Sequence, residues 1–271
     1  MVHAGGIPKI RMDARIPMLY LEHAAIYLAN SCVMYKDAEG KQSYALHPAN
    51  YAVIMLGVGS SITHDAAIMI AGFNTIILWC SSEGLSIHTV SVGCTFDIKN
   101  AKQQVERITR DRFKLWNMLL DARGCSHIPS QSYKELLLVE ASYMKHRYAE
   151  MAKKYGVTWN KRIPRIANMD KDDILNKSIT HCNIALYGIA TSVIYGLGYL
   201  PQFGIIHGRG ATPLAYDIAD VFKLETSIPC AMRHVAQHKT MDYRILMAEF
   251  TEMCCDIPSK MVDLMLRLFK S

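Results

Sequence analysis

Between Lys177 and Arg209 the chain carries no Lys, Arg, Asp or Glu, although charged residues make up 20% of the whole. A run this long must be surrounded by something other than water, either lipid or the rest of the protein. A membrane helix takes about twenty mainly apolar residues, so length alone permits a span. The contents argue against one. Thr180, His181, Asn183, Thr191 and Ser192 are polar, three tyrosines and several glycines interrupt the run, and Pro201 ends its helical part. The segment therefore predicts a helix at the centre of a helical domain, without a membrane partner. The 271 residues, 51% of them apolar, provide enough core to enclose it in one large domain or two modest ones.

The first ninety or so residues have a different character. The stretches 18–21, 26–35, 51–56, 75–79 and 85–92 are short and rich in β-branched and aromatic residues, as strands are. Asp37-Ala38-Glu39-Gly40 predicts a hairpin turn, and Gly57-Val58-Gly59-Ser60-Ser61 leads into a short helix from His64 to Gly72. From about Asp97 the period becomes helical. Helices are predicted over 99–123, 131–154 (with Gly156 as its C-cap), 170–199, 216–224, 230–237 and 243–270, and Pro229 and Pro258 are expected to mark breaks. The fold class expected is α+β, with a small β-rich domain over residues 1–94 followed by a larger all-α domain over 95–271.

The formal charge of +6 is unevenly spread. Residues 99–123 carry seven Lys/Arg against three Asp/Glu, and residues 145–177 carry nine against four, so the remainder of the chain is net negative. Clustered positive charge fits a polyanion, while solvated helix faces are the plain alternative. The eight cysteines form no C-x-x-C pair and read as small core residues of a reduced, cytoplasmic protein. Residues 1–15 contain no apolar signal region.

Three residues point to chemistry. Glu140 lies at helical spacing from Leu136, Tyr143 and Met144, which puts a carboxylate on an apolar stripe where it either pairs with a buried base or holds a cation. His207 opens the turn Gly208-Arg209-Gly210, in the setting of a site turn or of a satisfied core histidine. Asp217 and Asp220 are three apart, on one helix face, and Asp217 is also placed to serve as a first-turn carboxylate after Pro213. Carboxylate, imidazole and carboxylate together suit a divalent ion with open positions. Beside basic helices, that donor set fits phosphodiester cleavage or transesterification on nucleic acid.

The ordered motifs resemble the CRISPR-associated integrase-nuclease family, the larger subunit of the spacer-acquisition complex, and are most similar to the E subtype of type I systems. The resemblance is carried by 57–64, Val139-Glu140-Ala141, Tyr155-Gly156-Val157-Thr158-Trp159-Asn160, 183–187, Gly198-Tyr199-Leu200-Pro201, Gly204-Ile205-Ile206-His207 and Tyr216-Asp217-Ile218-Ala219-Asp220. It implies Glu140, His207 and Asp220 as ligands of Mg²⁺ or Mn²⁺, with Asp217 a fourth catalytic residue. It further implies a homodimer formed through the β-rich domain, acting with a small ferredoxin-like CRISPR-associated partner protein. The substrates implied are a double-stranded DNA fragment and CRISPR repeat DNA. His23 falls where relatives carry a stacking Tyr, and Lys145, Arg147, Lys161, Arg162 and Arg209 are the expected phosphate contacts. Ala141 and Gly208-Arg209-Gly210 depart from the family's pattern. Two other readings stand beside this one: a non-catalytic DNA-binding scaffold of such a complex, and a metal phosphoesterase acting on small substrates.

Overall fold

The computed structural model describes residues 11–37, 40–80, 87–91, 98–125, 132–163, 173–238 and 240–270. Among the described residues, eight strands occupy the first part: β1 (Ile16–Leu21), β2 (Ala25–Ala29), β3 (Cys32–Lys36), β4 (Ser43–Leu46), β5 (Tyr51–Leu56), β6 (Ser61–Ile62), β7 (Ile76–Cys80) and β8 (Ile87–Ser91), with α1 (His64–Gly72) between β6 and β7. Seven helices follow: α2 (Ile98–Ala122), α3 (Tyr133–Tyr155), α4 (Ile174–Gly196), α5 (Pro213–Phe222), α6 (Ser227–Gln237), α7 (Tyr243–Met253) and α8 (Ile257–Phe269). The fold is α+β, a β-rich segment followed by a helical one, as the periodicities predict. The expected boundary at 94 and most of the linker near 124–130 lie outside the described residues.

The strands form two four-stranded sheets, in the orders β1-β5-β7-β8 and β4-β3-β2-β6. In the first, β1, β5 and β7 run parallel and β8 antiparallel. β5 shows why its sequence, Ala-Val-Ile-Met-Leu, lacks polar alternation. Val53 and Met55 enter the core shared with the helices, while Ile54 and Leu56 enter a second core with α1 and the other sheet. A strand covered on both faces has no solvent side to mark with polar residues.

The stretch 26–35, expected to be one strand, is a hairpin of β2 and β3. Asn30 and Ser31 at its turn both have positive φ, 49° and 59°, the geometry of a two-residue turn whose twist matches its strands. Pro229 and Pro258 do not break helices. They sit in the first turns of α6 and α8, where a missing N–H costs nothing. The actual break in 243–270 falls at Cys254–Asp256.

The uncharged run becomes α4, which is buried on nearly every side. It packs on α5, α6 and α8 and on β5 of the first sheet. Its polar groups are satisfied locally or by neighbours: Thr180 and Thr191 bond the carbonyls four residues back, Ser192 donates to the Ala52 carbonyl and Asn183 accepts from Ser227. A Cβ on Gly188 would lie 2.5 Å from Leu78 Cδ1, so the missing side chain is what lets helix and sheet approach closely. Among the described residues, no helix is long and apolar enough to cross a membrane.

Candidate functional site

α5 carries Asp217 and Asp220, and the loop before it carries His207. Asp217 is wholly buried. Its Oδ2 accepts the backbone N–H groups of Ile205 (2.6 Å) and Ile206 (3.0 Å), and its Oδ1 accepts that of His207 (3.0 Å). The same Oδ1 lies 2.7 Å from His207 Nδ1. One carboxylate thus shapes the loop and fixes the imidazole, leaving Nε2 as the ring nitrogen available for other work. The hydrogen bond to Asp217 raises the His207 pKa above its usual value, against burial, which pulls it down. Asp217 thus holds both the loop backbone and the His207 ring in place. Among the described residues its hydrogen bonds all go to the His207 loop.

The loop is held from its other side by α2. Gln104, fully buried, donates to the carbonyls of Leu200 and Phe203 (2.9 Å each) and accepts from the Leu200 N–H (2.7 Å). Arg112 Nε donates to the Ile205 carbonyl (2.5 Å) and Asn100 to that of Leu197 (2.7 Å). Gly204 makes the turn possible, since a Cβ there would lie 2.4 Å from the His207 carbonyl oxygen and 3.0 Å from Asp217 Oδ2. Gly204→Ala is expected to cost about 1–3 kcal/mol by overpacking, because the nearest clash is with backbone that cannot rotate away. Thermal unfolding of the variant measures it.

Glu140 projects from α3, half-buried, and meets Arg123, whose side chain is 2% exposed. Arg123 Nη1 donates to Glu140 Oε1, and Arg123 Nη2 lies 3.9 Å from Asp220 Oδ2. The guanidinium thus bridges the two carboxylates. Lys223 Nζ stands 2.5 Å from Asp220 Oδ1 and 5.0 Å from the Tyr187 ring centroid. Burial alone would lower the Lys223 pKa; Asp220, then Tyr187 and Tyr148, override it and hold the pKa above the usual value. Tyr187 and His207 both make edge contacts with Tyr216, at 4.7 and 5.8 Å between centroids.

Both open alternatives for Glu140 meet here: it pairs with a buried base, and its Oε2 is buried with no hydrogen-bond partner among the described residues. That orphaned oxygen, the free Nε2 of His207 and Asp220 form a donor set of the right chemistry for Mg²⁺ or Mn²⁺. The closeness expected of the three tips is not met. Among the described residues, the one His/Cys/Asp/Glu group whose ligand atoms all lie within 4.8 Å of one another is elsewhere. The physical reason is Arg123, which occupies the space between Glu140 and Asp220. Arg123 and Lys223 are the partners of the candidate carboxylates that sequence reasoning missed. Lys223 had a visible signal, its i,i+3 spacing from Asp220.

The expected DNA contacts divide. Lys145, Lys161 and Arg209 are exposed, and Arg209 lies two residues from His207. Arg147 pairs with Glu150 of its own helix at 2.5 Å. Arg162 is half-buried and its guanidinium turns inward. It bonds Asn176 (2.9 Å), Thr180 (2.8 Å) and the Ile163 carbonyl (2.5 Å), tying the chain after α3 to α4, and burial lowers its pKa. Arg123 turns inward and is buried, whereas Arg112, though its Nε bonds the Ile205 carbonyl, stays exposed with Lys99, Lys102, Arg110 and Lys114, so most of the positive charge of residues 99–123 is on the surface. His23 is exposed, with φ 51°, and its ring covers Gly59, where a Cβ would lie 2.4 Å from Nδ1.

The family model described as "CRISPR associated protein Cas1" matches residues 94–239. The CRISPR-associated endonuclease Cas1 of Escherichia coli (strain K12) is 28% identical over 225 residues, spanning 82% of this chain and 73% of its own. The solved structure of a TtCas1–DNA complex is 24% identical with a TM-score of 0.68, over 98% of this chain and all of that one. A casposase bound to its integration product aligns with a TM-score of 0.77 at 14% identity, over 93% of this chain and 90% of its own. At these identities the structural likenesses are likenesses of fold.

Proposed function

The chain belongs to the Cas1 family of CRISPR-associated proteins, and from that membership and the site geometry we propose that it is a metal-dependent DNA endonuclease-integrase. The reaction is attack by the 3′-hydroxyl of a captured double-stranded DNA fragment on a phosphodiester of CRISPR repeat DNA. A new P–O ester bond forms, one repeat P–O bond breaks, and the departing strand leaves with a 3′-hydroxyl, so ester bonds are conserved and no external energy is needed. The observation that supports this reading is the meeting of Glu140 of α3 and Asp220 of α5 on one guanidinium, with Asp220 on the helix whose Asp217 holds His207.

In this reading Glu140, His207 Nε2 and Asp220 hold Mg²⁺ or Mn²⁺. When bound, the ion lowers the pKa of the attacking hydroxyl and neutralises charge at phosphorus. Asp217 keeps the His207 ring turned so that Nε2 faces outward. Arg123 and Lys223 supply fixed positive charge beside the carboxylates, where the phosphate must approach. Lys145, Lys161 and Arg209 bind backbone phosphates without regard to sequence, and His23 stacks on the duplex end. The β-rich segment serves dimerisation, and a small ferredoxin-like protein completes the assembly.

Strand transfer into a supercoiled repeat plasmid tests the proposal. Product should require a divalent ion, and Asp217→Asn should raise the ion concentration needed by about 10–100-fold, the usual cost of losing the group that orients a ligating histidine. Product formed equally in excess chelator would remove the metal-dependent reading. A second reading, a DNA-binding scaffold, draws on Arg123 and Lys223, which already neutralise both carboxylates. It predicts DNA binding with no ion-dependent product.

A further inference from the structure

α6 ends in two histidines one turn apart. His234 is wholly buried within the helix, and His238 is its C-cap, in extended conformation. Their rings lie 4.5 Å apart at 36°. Glu249, from the middle of α7, faces both: its Oε2 is 2.9 Å from His234 Nδ1 and its Oε1 is 3.2 Å from His238 Nε2. The three ligand atoms all lie within 4.8 Å of one another, and no other His/Cys/Asp/Glu group among the described residues meets that condition. None of the three residues belongs to the site described above.

Hydrogen bonding explains this cluster only in part. The His234 ring is sealed in the core, yet its Nε2 has no hydrogen-bond partner among the described residues. Its Nδ1 is the nitrogen that faces Glu249 and the one that an ion between these side chains would take. An ion at the centre of a tetrahedron with bonds of about 2.0–2.1 Å sets its ligand atoms roughly 3.3 Å apart. The nitrogens of His234 and His238 lie 2.9 and 3.2 Å from the two different oxygens of Glu249, and one ligand atom from each residue falls within 4.8 Å of the others, so small side-chain shifts reach that edge length. Two imidazoles and one carboxylate form a borderline donor set, suited to Zn²⁺ and poorly suited to Mg²⁺. The side chains of His238 and Glu249 are 35% and 19% exposed, which gives a path in and leaves a fourth position to water.

We propose that His234, His238 and Glu249 form a Zn²⁺ site that clamps α6 to α7. The clamp has a structural consequence, because α7 packs against both α6 and β1 and so joins the helical part to the edge of the first sheet. The reading stands independently of strand transfer.

The full chain, stripped with chelator, is titrated with Zn²⁺ and with Co²⁺ in excess Mg²⁺, which holds hard-ligand sites filled. One equivalent should bind, Co²⁺ should give the intense visible bands of a tetrahedral complex, and Zn²⁺ at about a hundred times its Kd should raise Tm by roughly 5 °C or more. His238→Ala and Glu249→Gln should each weaken binding by at least about 100-fold, more than the loss of a merely orienting group. His207→Ala should leave the bands intact. Three results overturn the proposal: no binding by the parent chain, unchanged binding by both variants, or bands lost with His207→Ala instead. His238 is partly exposed, so His238→Ala is expected to fold; if it does not, Glu249→Gln decides.

Discussion

His207→Ala is expected to abolish strand transfer, by 10²–10³-fold or more on the order-of-magnitude scale of losing one electrostatic stabiliser of the transition state, while DNA binding stays within a few-fold of the parent. The separation follows from geometry. His207 is a partly exposed ring held by Asp217, and its removal leaves the backbone contacts of Asp217 to Ile205, Ile206 and His207 in place. The loop and the fold should therefore survive. Glu140→Ala is expected to be equally inactive, but it also strips Arg123 of its nearest counter-charge, so its Tm must be reported alongside its activity. Gel-based strand transfer with parallel binding isotherms is the measurement. Full strand transfer by both variants would falsify the assignment of these residues to the reaction.

Arg123→Ala is expected to destabilise the protein by about 3–5 kcal/mol, the range for breaking a buried ion pair by removing one partner. In a chain of this size that corresponds to a fall in Tm of roughly 6–20 °C. The cause is less the attraction lost than the charge left behind. Glu140 already has one orphaned oxygen, and without Arg123 it has two; Asp220 then depends on Lys223 alone. Arg123→Lys should recover little, because a single ammonium cannot reach both carboxylates as the guanidinium fork does. The double variant Arg123→Met with Glu140→Gln should be more stable than Arg123→Met alone, since both ends of the buried pair are then neutral. A loss below about 1 kcal/mol for Arg123→Ala, at the level of an exposed pair, would show that solvent reaches this cluster far more freely than its 2% side-chain exposure implies.

The residues that sequence reasoning missed share a cause. Glu140 was recognisable as anomalous because a carboxylate on an apolar helical stripe breaks a local pattern. Its partner was not, because Arg123 lies 17 residues earlier, in the turn just past the end of α2, in a run whose charges all read as one basic face. Periodicity states which way a side chain points relative to its own element and says nothing of what stands opposite. The same limit explains Arg162, which was expected as a phosphate contact and is bonded to Asn176 and Thr180 of α4. Gln104 is a sharper case. Its three bonds reach residues nearly a hundred positions away, and nothing in its neighbourhood marks it. The pair His234 and His238 did have a local signal, since residues four apart share a helix face; only Glu249 across the α6–α7 turn makes it a cluster.

By itself the sequence determined the two structural periods and the order in which they come. It also determined that the uncharged run must lie inside, because unpaired charge is excluded from a core and this stretch contains none. It marked His207 and Asp217 as candidates, but that the two touch was shown only by the fold. Tertiary structure alone decided which charges face one another, whether Glu140 and Asp220 meet across a guanidinium, and which basic residues stay on the surface. The reason is physical: burial of apolar surface is nearly independent of partner, whereas an ion pair or a coordinated metal depends on distance and direction between particular atoms that only the folded chain brings together.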